Sequence, residues 1–163
     1  MLREHFDGIV DELGRASERV FGESLISVAV FGSVARGTMR HDSDIDLFVV
    51  ARDLPAGRLA RVAAFEPVEQ HVDALVEAAH RDGVHTRISP VLRTPDEVEH
   101  GSPLLLDMTR EVRILIDRGG FLRDRLDRLH ARLTALGAQR IRKKGGYYWL
   151  LQPDLKPGED IQL

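Results

Sequence analysis

The sequence contains no cysteine, which excludes disulfide bonds, thiolate nucleophiles and zinc sites built on cysteine. It also lacks a continuous apolar stretch of the roughly 18 residues that a membrane helix needs. Its first residues alternate charged and apolar side chains, unlike a signal peptide. These absences predict a soluble, cytoplasmic protein with no membrane partner.

An excess of charge of one sign is also lacking, because 23 Lys and Arg residues oppose 26 Asp and Glu residues, for a net charge of -3. No global field would attract a polynucleotide, so nucleic acid is not the expected substrate. The seven histidines show no metal-ligand spacing, which argues against zinc.

Length and composition bound the domain organisation. A chain of 163 residues, 43% of them hydrophobic, suits one ordinary core. The composition changes after position 139, where a basic stretch precedes two tyrosines, a tryptophan and two prolines. We therefore predict one domain over residues 1–139 and a tail over residues 140–163. The tail is interpreted as an ordered arm or a partner-binding segment.

Hydrophobic periodicity predicts alternating helices and strands. Apolar residues from Leu2 predict a helix ending near Gly14 or one turn later, and Pro67 predicts the start of a new helix within 55–82. Pro90 places its strand at a sheet edge or at a bulge rather than in a central position. The fold class is α/β (α+β), with a small mixed sheet and helices mainly on one side. The predicted strands are Leu25 to Phe31, Asp44 to Val50, Thr86 to Leu92 and Val112 to Ile116, and the clearest helix is Leu122 to Leu136.

A glycine and a serine directly follow the first predicted strand. Gly32 after an apolar strand allows the backbone to approach phosphate oxygens closely, and the hydroxyl of Ser33 with neighbouring N–H groups can hold them. Gly32 and Ser33 are therefore candidate nucleotide-binding residues.

Two carboxylates begin the second predicted strand. Alternate side chains of a strand share a face, so Asp44 and Asp46 project together. Such a pair is unfavourable without a cation, and Mg²⁺ prefers carboxylate and phosphate oxygens. We predict that Asp44 and Asp46 are metal ligands and catalytic residues.

These residues resemble the minimal nucleotidyltransferases of the DNA polymerase β superfamily. The family motif is Gly-Ser, ten residues, then Asp-x-Asp, which Gly32-Ser33 with Asp44 and Asp46 matches. Arg36 and Ser43 also fit the family context and become secondary nucleotide-binding candidates. The match covers about Ser27 to Val50, with a weaker likeness elsewhere to members paired with a HEPN protein.

The resemblance implies a polymerase β-like nucleotidyltransferase fold and an activity. A nucleoside monophosphate, AMP from ATP, would pass with Mg²⁺ to a hydroxyl of a HEPN partner, in a toxin–antitoxin pair. One feature departs from the family, which supplies a third carboxylate from the following strand. Here that strand carries no acid, and Asp73, Asp96 and Glu97 are the remaining candidates.

Two alternatives stay open from the residues alone. The first is a protein with weak or no catalysis that binds nucleotide and neutralises its partner by contact. The second is a transferase acting on a small molecule such as an aminoglycoside, whose acceptor pocket in so short a chain would be built across a homo-oligomer.

Overall fold

A computed structural model describes residues 1–163 and shows a four-stranded mixed sheet with helices on both faces. The predicted α/β class with a small mixed sheet is confirmed. In chain order the elements are α1 Leu2–Phe21, β1 Leu25–Phe31, α2 Gly32–Arg36, β2 Ile45–Ala51, α3 Arg58–Arg81, β3 Ile88–Arg93, α4 Pro95–His100, α5 Pro103–Met108, β4 Val112–Asp117, α6 Phe121–Ala135, β5 Gln139–Lys143 and β6 Gly146–Leu150.

The sheet has the strand order β3-β2-β1-β4. Strand β1 is antiparallel to both β2 and β4, whereas β2 and β3 are parallel. The register places Phe31 and Ser89 on either side of Asp46. Strand β3 lies at an edge, as Pro90 predicted, because a proline there removes no hydrogen bond from a further strand.

The two faces of the sheet carry separate hydrophobic cores. On one face, Leu47 packs with Phe65 among side chains from the two longest helices, α1 and α3. On the other face, Phe48 packs with Leu105 and Leu126 under the shorter helices α4, α5 and α6. The helices therefore cover one face of the sheet more extensively than the other. Successive side chains of β2 point to opposite faces, so β2 contributes residues to both cores.

Two helix boundaries predicted from the sequence are wrong. Helix α1 continues through Gly14 to Phe21, and Gly14 lies against Leu115 of β4, where an added Cβ would stand 3.7 Å from the leucine side chain. Helix α3 continues through Pro67 without a break. Leu75, predicted on the buried stripe of α3, is 40% exposed. Packing of the flanking turns thus overrides the local breaker signals.

Three elements were not predicted, namely helix α4 and strands β5 and β6. Helix α4 is only six residues long and is held by a capping box, in which Thr94 and Glu97 bond to each other's backbone N–H. The segment from Gln139 forms a hairpin of β5 and β6. The division at residue 139 stays a prediction. None of the helices has the length and apolar character required to cross a membrane.

Candidate active site

The turn after β1 brings backbone to the edge of the candidate site. Gly32 adopts φ +69°, a left-handed conformation that side chains other than glycine rarely take. It begins the short helix α2, which ends at Arg36 and is capped by Gly37, also with positive φ. The hydroxyl of Ser33 makes no hydrogen bond within the protein, while its carbonyl accepts one from the Thr38 N–H at 3.0 Å. Ser33 is therefore free to bind a ligand.

Gly32 lies directly against Asp46 of the neighbouring strand. A Cβ built on Gly32 would collide with Oδ2 of Asp46. The antiparallel register explains this proximity, because Asp46 pairs with Phe31, the residue before the glycine. The predicted phosphate-binding turn and the predicted carboxylates therefore share one place in the fold.

Asp44 and Asp46 form a carboxylate pair at the start of β2. Asp46 is the second residue of the strand and is half-buried, whereas Asp44 precedes the strand and is exposed. Burial raises the pKa of the Asp46 carboxyl, the charge of Asp44 raises it further, and Arg36 partly opposes both. The pair is thus poorly compensated by the protein itself. Its two carboxylates beside a glycine cradle fit a hard divalent cation.

No third carboxylate joins this pair. The residue of β3 in register with Asp46 is Ser89, and no group of three or more potential ligand side chains has metal-binding proximity. Glu97 is occupied by Arg61, at 2.7 and 2.9 Å, and by the cap of α4. Asp73 lies on α3, which packs on the opposite face of the sheet from Asp46.

Arg36 and Ser43 both have partners within the protein. The Nη1 of Arg36 donates to Glu111 at 2.9 Å. The hydroxyl oxygen of Ser43 accepts from the Arg40 N–H at 2.8 Å and so holds the loop before β2. The positive charge of Arg36 nevertheless acts on Asp46 and partly offsets the rise in the pKa of its carboxyl. Their roles in nucleotide binding stay predictions.

Known proteins with similar sequences identify the family. Residues 11–100 match the family described as "Nucleotidyltransferase domain". A Methanocaldococcus jannaschii protein named "Putative protein adenylyltransferase" is 34% identical over 131 residues, which cover 79% of this chain and 84% of the relative. The chain belongs to the nucleotidyltransferase domain family. The resemblance to the minimal nucleotidyltransferases and the prediction of an enzyme are both confirmed.

The solved structures that align with this chain are more distant. A toxin–antitoxin complex with AMP-PNP aligns at TM-score 0.45 and 16% identity, covering 84% of this chain and 94% of that chain. A chain of the structure of a Shewanella oneidensis HEPN toxin in complex with MNT antitoxin aligns at TM-score 0.42 and 16% identity, covering 84% of this chain and 93% of that chain. At these values the likeness carries no conclusion about what this nucleotidyltransferase binds.

Sequence reasoning missed the residues that line the far side of the candidate site. A cavity of about 290 Å³ is lined by Gly32 and Asp46 on one side and by Glu111 of the α5–β4 connection and Arg140 and Tyr147 of the hairpin on another. The basic and aromatic composition of the tail was the available signal. Nothing in the sequence specified that the hairpin folds back against α5 and the α5–β4 connection.

Glu111 connects the motif region to the hairpin. Its carboxylate accepts from Arg36 Nη1 at 2.9 Å and from Arg140 Nη1 at 3.1 Å. Burial would raise the pKa of Glu111, but the hydrogen bonds from both arginines outweigh burial and lower it. Glu111 is therefore held ionised between two guanidinium groups.

A larger groove of about 620 Å³ lies between α3 and the edge strand β3. It is lined by Arg61 and Glu97 and includes neither Gly32 nor Asp46. It reaches the site at Ser89, the register partner of Asp46. The candidate residues Gly32 and Asp46 thus line the smaller cavity, and the open groove lies beside it.

Proposed function

We propose that this nucleotidyltransferase uses Mg²⁺ to transfer AMP from ATP to a hydroxyl of a partner protein. The contact of Gly32 with Asp46 carries the proposal, because it places a phosphate-binding turn against a carboxylate pair. The 34% identical relative is named as a protein adenylyltransferase, which supports a protein acceptor. The motif resemblance supports a HEPN-type partner in a toxin–antitoxin pair.

The residues at the turn and on β2 have separate roles in this proposal. Gly32 and Ser33 hold phosphate oxygens through backbone N–H groups and a free hydroxyl. Asp44 and Asp46 hold the cation, which when bound neutralises negative charge developing on the transferring phosphoryl group. The acceptor oxygen bonds to the α-phosphorus as the bond to pyrophosphate breaks.

The acceptor side is more open than the donor side. The groove at Ser89 gives a protein hydroxyl access to the neighbourhood of Asp46. Because the residue in register with Asp46 is a serine, with no carboxylate there to act as base, the acceptor proton passes to water. We therefore expect slower transfer than in relatives that have a base at this position.

Labelled ATP tests the proposal. The protein is mixed with Mg²⁺ and the product of the gene adjacent to its own, using ATP labelled on the α-phosphate or on the γ-phosphate. We expect the α-label on the partner protein and no γ-label. An aminoglycoside in a parallel reaction tests the small-molecule acceptor.

Two variants make the assay specific for the site. Asp44→Asn removes a proposed metal ligand and should abolish labelling, since one carboxylate then remains. Asp42→Asn makes the same charge change at an exposed loop carboxylate two residues away and should label normally. Tight binding of the partner with no transfer by the wild type would refute the proposed reaction.

A further inference from the structure

We propose that Arg140, carried by the C-terminal hairpin, binds the phosphate chain of the donor nucleotide. The inference rests on the proposed function for its ligand, a nucleoside triphosphate. It assigns to the tail a direct part in donor binding.

The hairpin is docked on the body of the enzyme beside the active site. Trp149 of β6 donates from its indole N–H to Asp107 of α5 at 2.9 Å. Arg140 of β5 reaches Glu111 at 3.1 Å and lies over the ring of Tyr147, 4.0 Å from its centroid. These contacts fix Arg140 in the wall of the cavity that contains Gly32 and Asp46.

Arg140 is incompletely paired for so buried a cation. Its side chain is only 10% exposed, and it makes one side-chain hydrogen bond, from Nη1 to Glu111. Its Nε–H is buried with no acceptor, because Asp107 lies 4.0 Å away and accepts from Trp149 instead. A buried guanidinium normally has several acceptors, since its desolvation is costly.

Docking the hairpin does not explain this arrangement. Glu111 already accepts from Arg36, so one carboxylate serves two guanidinium groups and Arg140 keeps a buried donor without an acceptor. An anionic ligand within the cavity would supply the missing acceptors. Phosphate oxygens suit a planar guanidinium, which binds them through charge-assisted hydrogen bonds.

The charges of the cavity fit an anion that arrives with a cation. Its walls carry Arg36 and Arg140 against Asp46, Asp107 and Glu111. Once Asp46 is assigned to a metal, two positive and two negative groups remain, and the bound cation makes the cavity attractive to phosphate. The nucleoside would meet the apolar side chains of Leu104 and Met108, which line the same cavity.

The test measures binding by the full-length protein with titration calorimetry, using MgATP and adenosine as separate ligands. Arg140→Ala and Arg140→Gln should each bind MgATP about 10- to 100-fold more weakly, the range for losing charge-assisted hydrogen bonds. Adenosine affinity should not change. Arg142→Ala removes the same charge from an exposed position of the same strand and should match the wild type.

Trp149 reports whether the hairpin stays docked. It is the single tryptophan of the chain, so its emission monitors the contact with Asp107. The glutamine variant keeps most of the side-chain length and an N–H donor for Glu111, which favours retention of the docked hairpin.

Three outcomes separate this inference from the proposed function. A loss of affinity for MgATP alone supports it. Wild-type affinity in both Arg140 variants, or an equal loss for adenosine and MgATP, overturns it and leaves the transferase proposal intact. Failure of the wild type to bind MgATP overturns both.

Discussion

Among single residues, Gly32 makes the sharpest prediction. Gly32→Ala places a side chain on a backbone with φ +69° and drives its Cβ into Oδ2 of Asp46. We expect the variant to lose about 1–3 kcal/mol of unfolding free energy from backbone strain and to transfer nucleotide at least about 100-fold more slowly. Denaturant unfolding and the α-label assay measure the two effects.

Gly22→Ala is the control that separates backbone strain from the steric collision with Asp46. Gly22 has φ +54°, and nothing lies within 4 Å of an added Cβ. It should lose a similar amount of stability while keeping its transfer rate. Equal transfer rates in the two alanine variants would show that the contact of Gly32 with Asp46 is unimportant for activity.

Glu97 makes a prediction about stability and pH. Hydrogen bonds from Arg61 lower the pKa of Glu97 to about 2, against 4.5 for an unperturbed glutamate, and they outweigh the effect of burial. A lowered folded-state pKa means that the ionised group stabilises the fold above about pH 4.5. That stability is lost as the pH falls from there toward 2.

Glu97→Gln tests this contribution because glutamine can still complete the capping box with Thr94. The carboxylate is 42% exposed, so we expect only about 0.5–1 kcal/mol of destabilisation at pH 7, shrinking to nothing near pH 2. Urea unfolding across this range measures it. Asp42→Asn, which removes a charge from an exposed loop, should show no such trend, and a pH-independent difference for Glu97→Gln would contradict the assignment.

At the scale of elements, the unbroken course of α3 predicts that Pro67 is a cost to the fold. The proline is exposed, lies inside the helix and cannot donate the hydrogen bond of that turn. Pro67→Ala should raise the unfolding free energy by about 1–3 kcal/mol, the lower values reflecting greater freedom of the unfolded chain.

Pro95→Ala is the matched control, because Pro95 begins α4, where no intrahelical hydrogen bond is lost. It should be close to neutral in thermal unfolding. If Pro67→Ala were equally neutral, α3 would have to be interrupted at Pro67 in solution.

The elements predicted correctly from the sequence are those whose hydrophobic pattern agrees with their packing in the fold. Strand β1 runs from Leu25 to Phe31 as predicted, and the leucines of α6 all lie toward one core. Gly14 and Pro67 led to wrong helix boundaries because the long buried faces of α1 and α3 override a single unfavourable residue. Helix α4 was missed because six residues give too short a periodic signal.

In the whole molecule, the predictable part of the site was the part carried by one local motif. Gly32 and Asp46 are 14 positions apart and joined by adjacent antiparallel strands, so spacing could indicate their proximity. Arg140 and Glu111 reach the same cavity through the packing of the hairpin. Their contacts depend on tertiary arrangement, which no periodicity specifies.

At the scale of the whole molecule, we expect Asp46 to lower the stability of the ligand-free protein while it contributes to ligand binding. Burial, followed by the charge of Asp44, raises the pKa of Asp46, so the folded state holds this proton more tightly than the unfolded state. Stability contributed by Asp46 is therefore lost as the pH rises from about 3.8 through the raised value. Asp46→Asn should raise the melting temperature of the ligand-free protein by a few degrees at pH 7 and lose that advantage below about pH 3.8.

The same variant should lose the response to ligand. At 100 times its dissociation constant, a ligand adds about 2.7 kcal/mol, which corresponds to roughly 5–10 °C in a chain of this size. Wild type and Asp42→Asn should show this upward shift with MgATP and much less with ATP in EDTA, because Asp44 and Asp46 would hold the cation that offsets the charge of the phosphates. Asp46→Asn should melt higher without ligand and hardly respond to MgATP. An equal shift in EDTA, or a full shift in Asp46→Asn, would place the nucleotide away from the carboxylate pair.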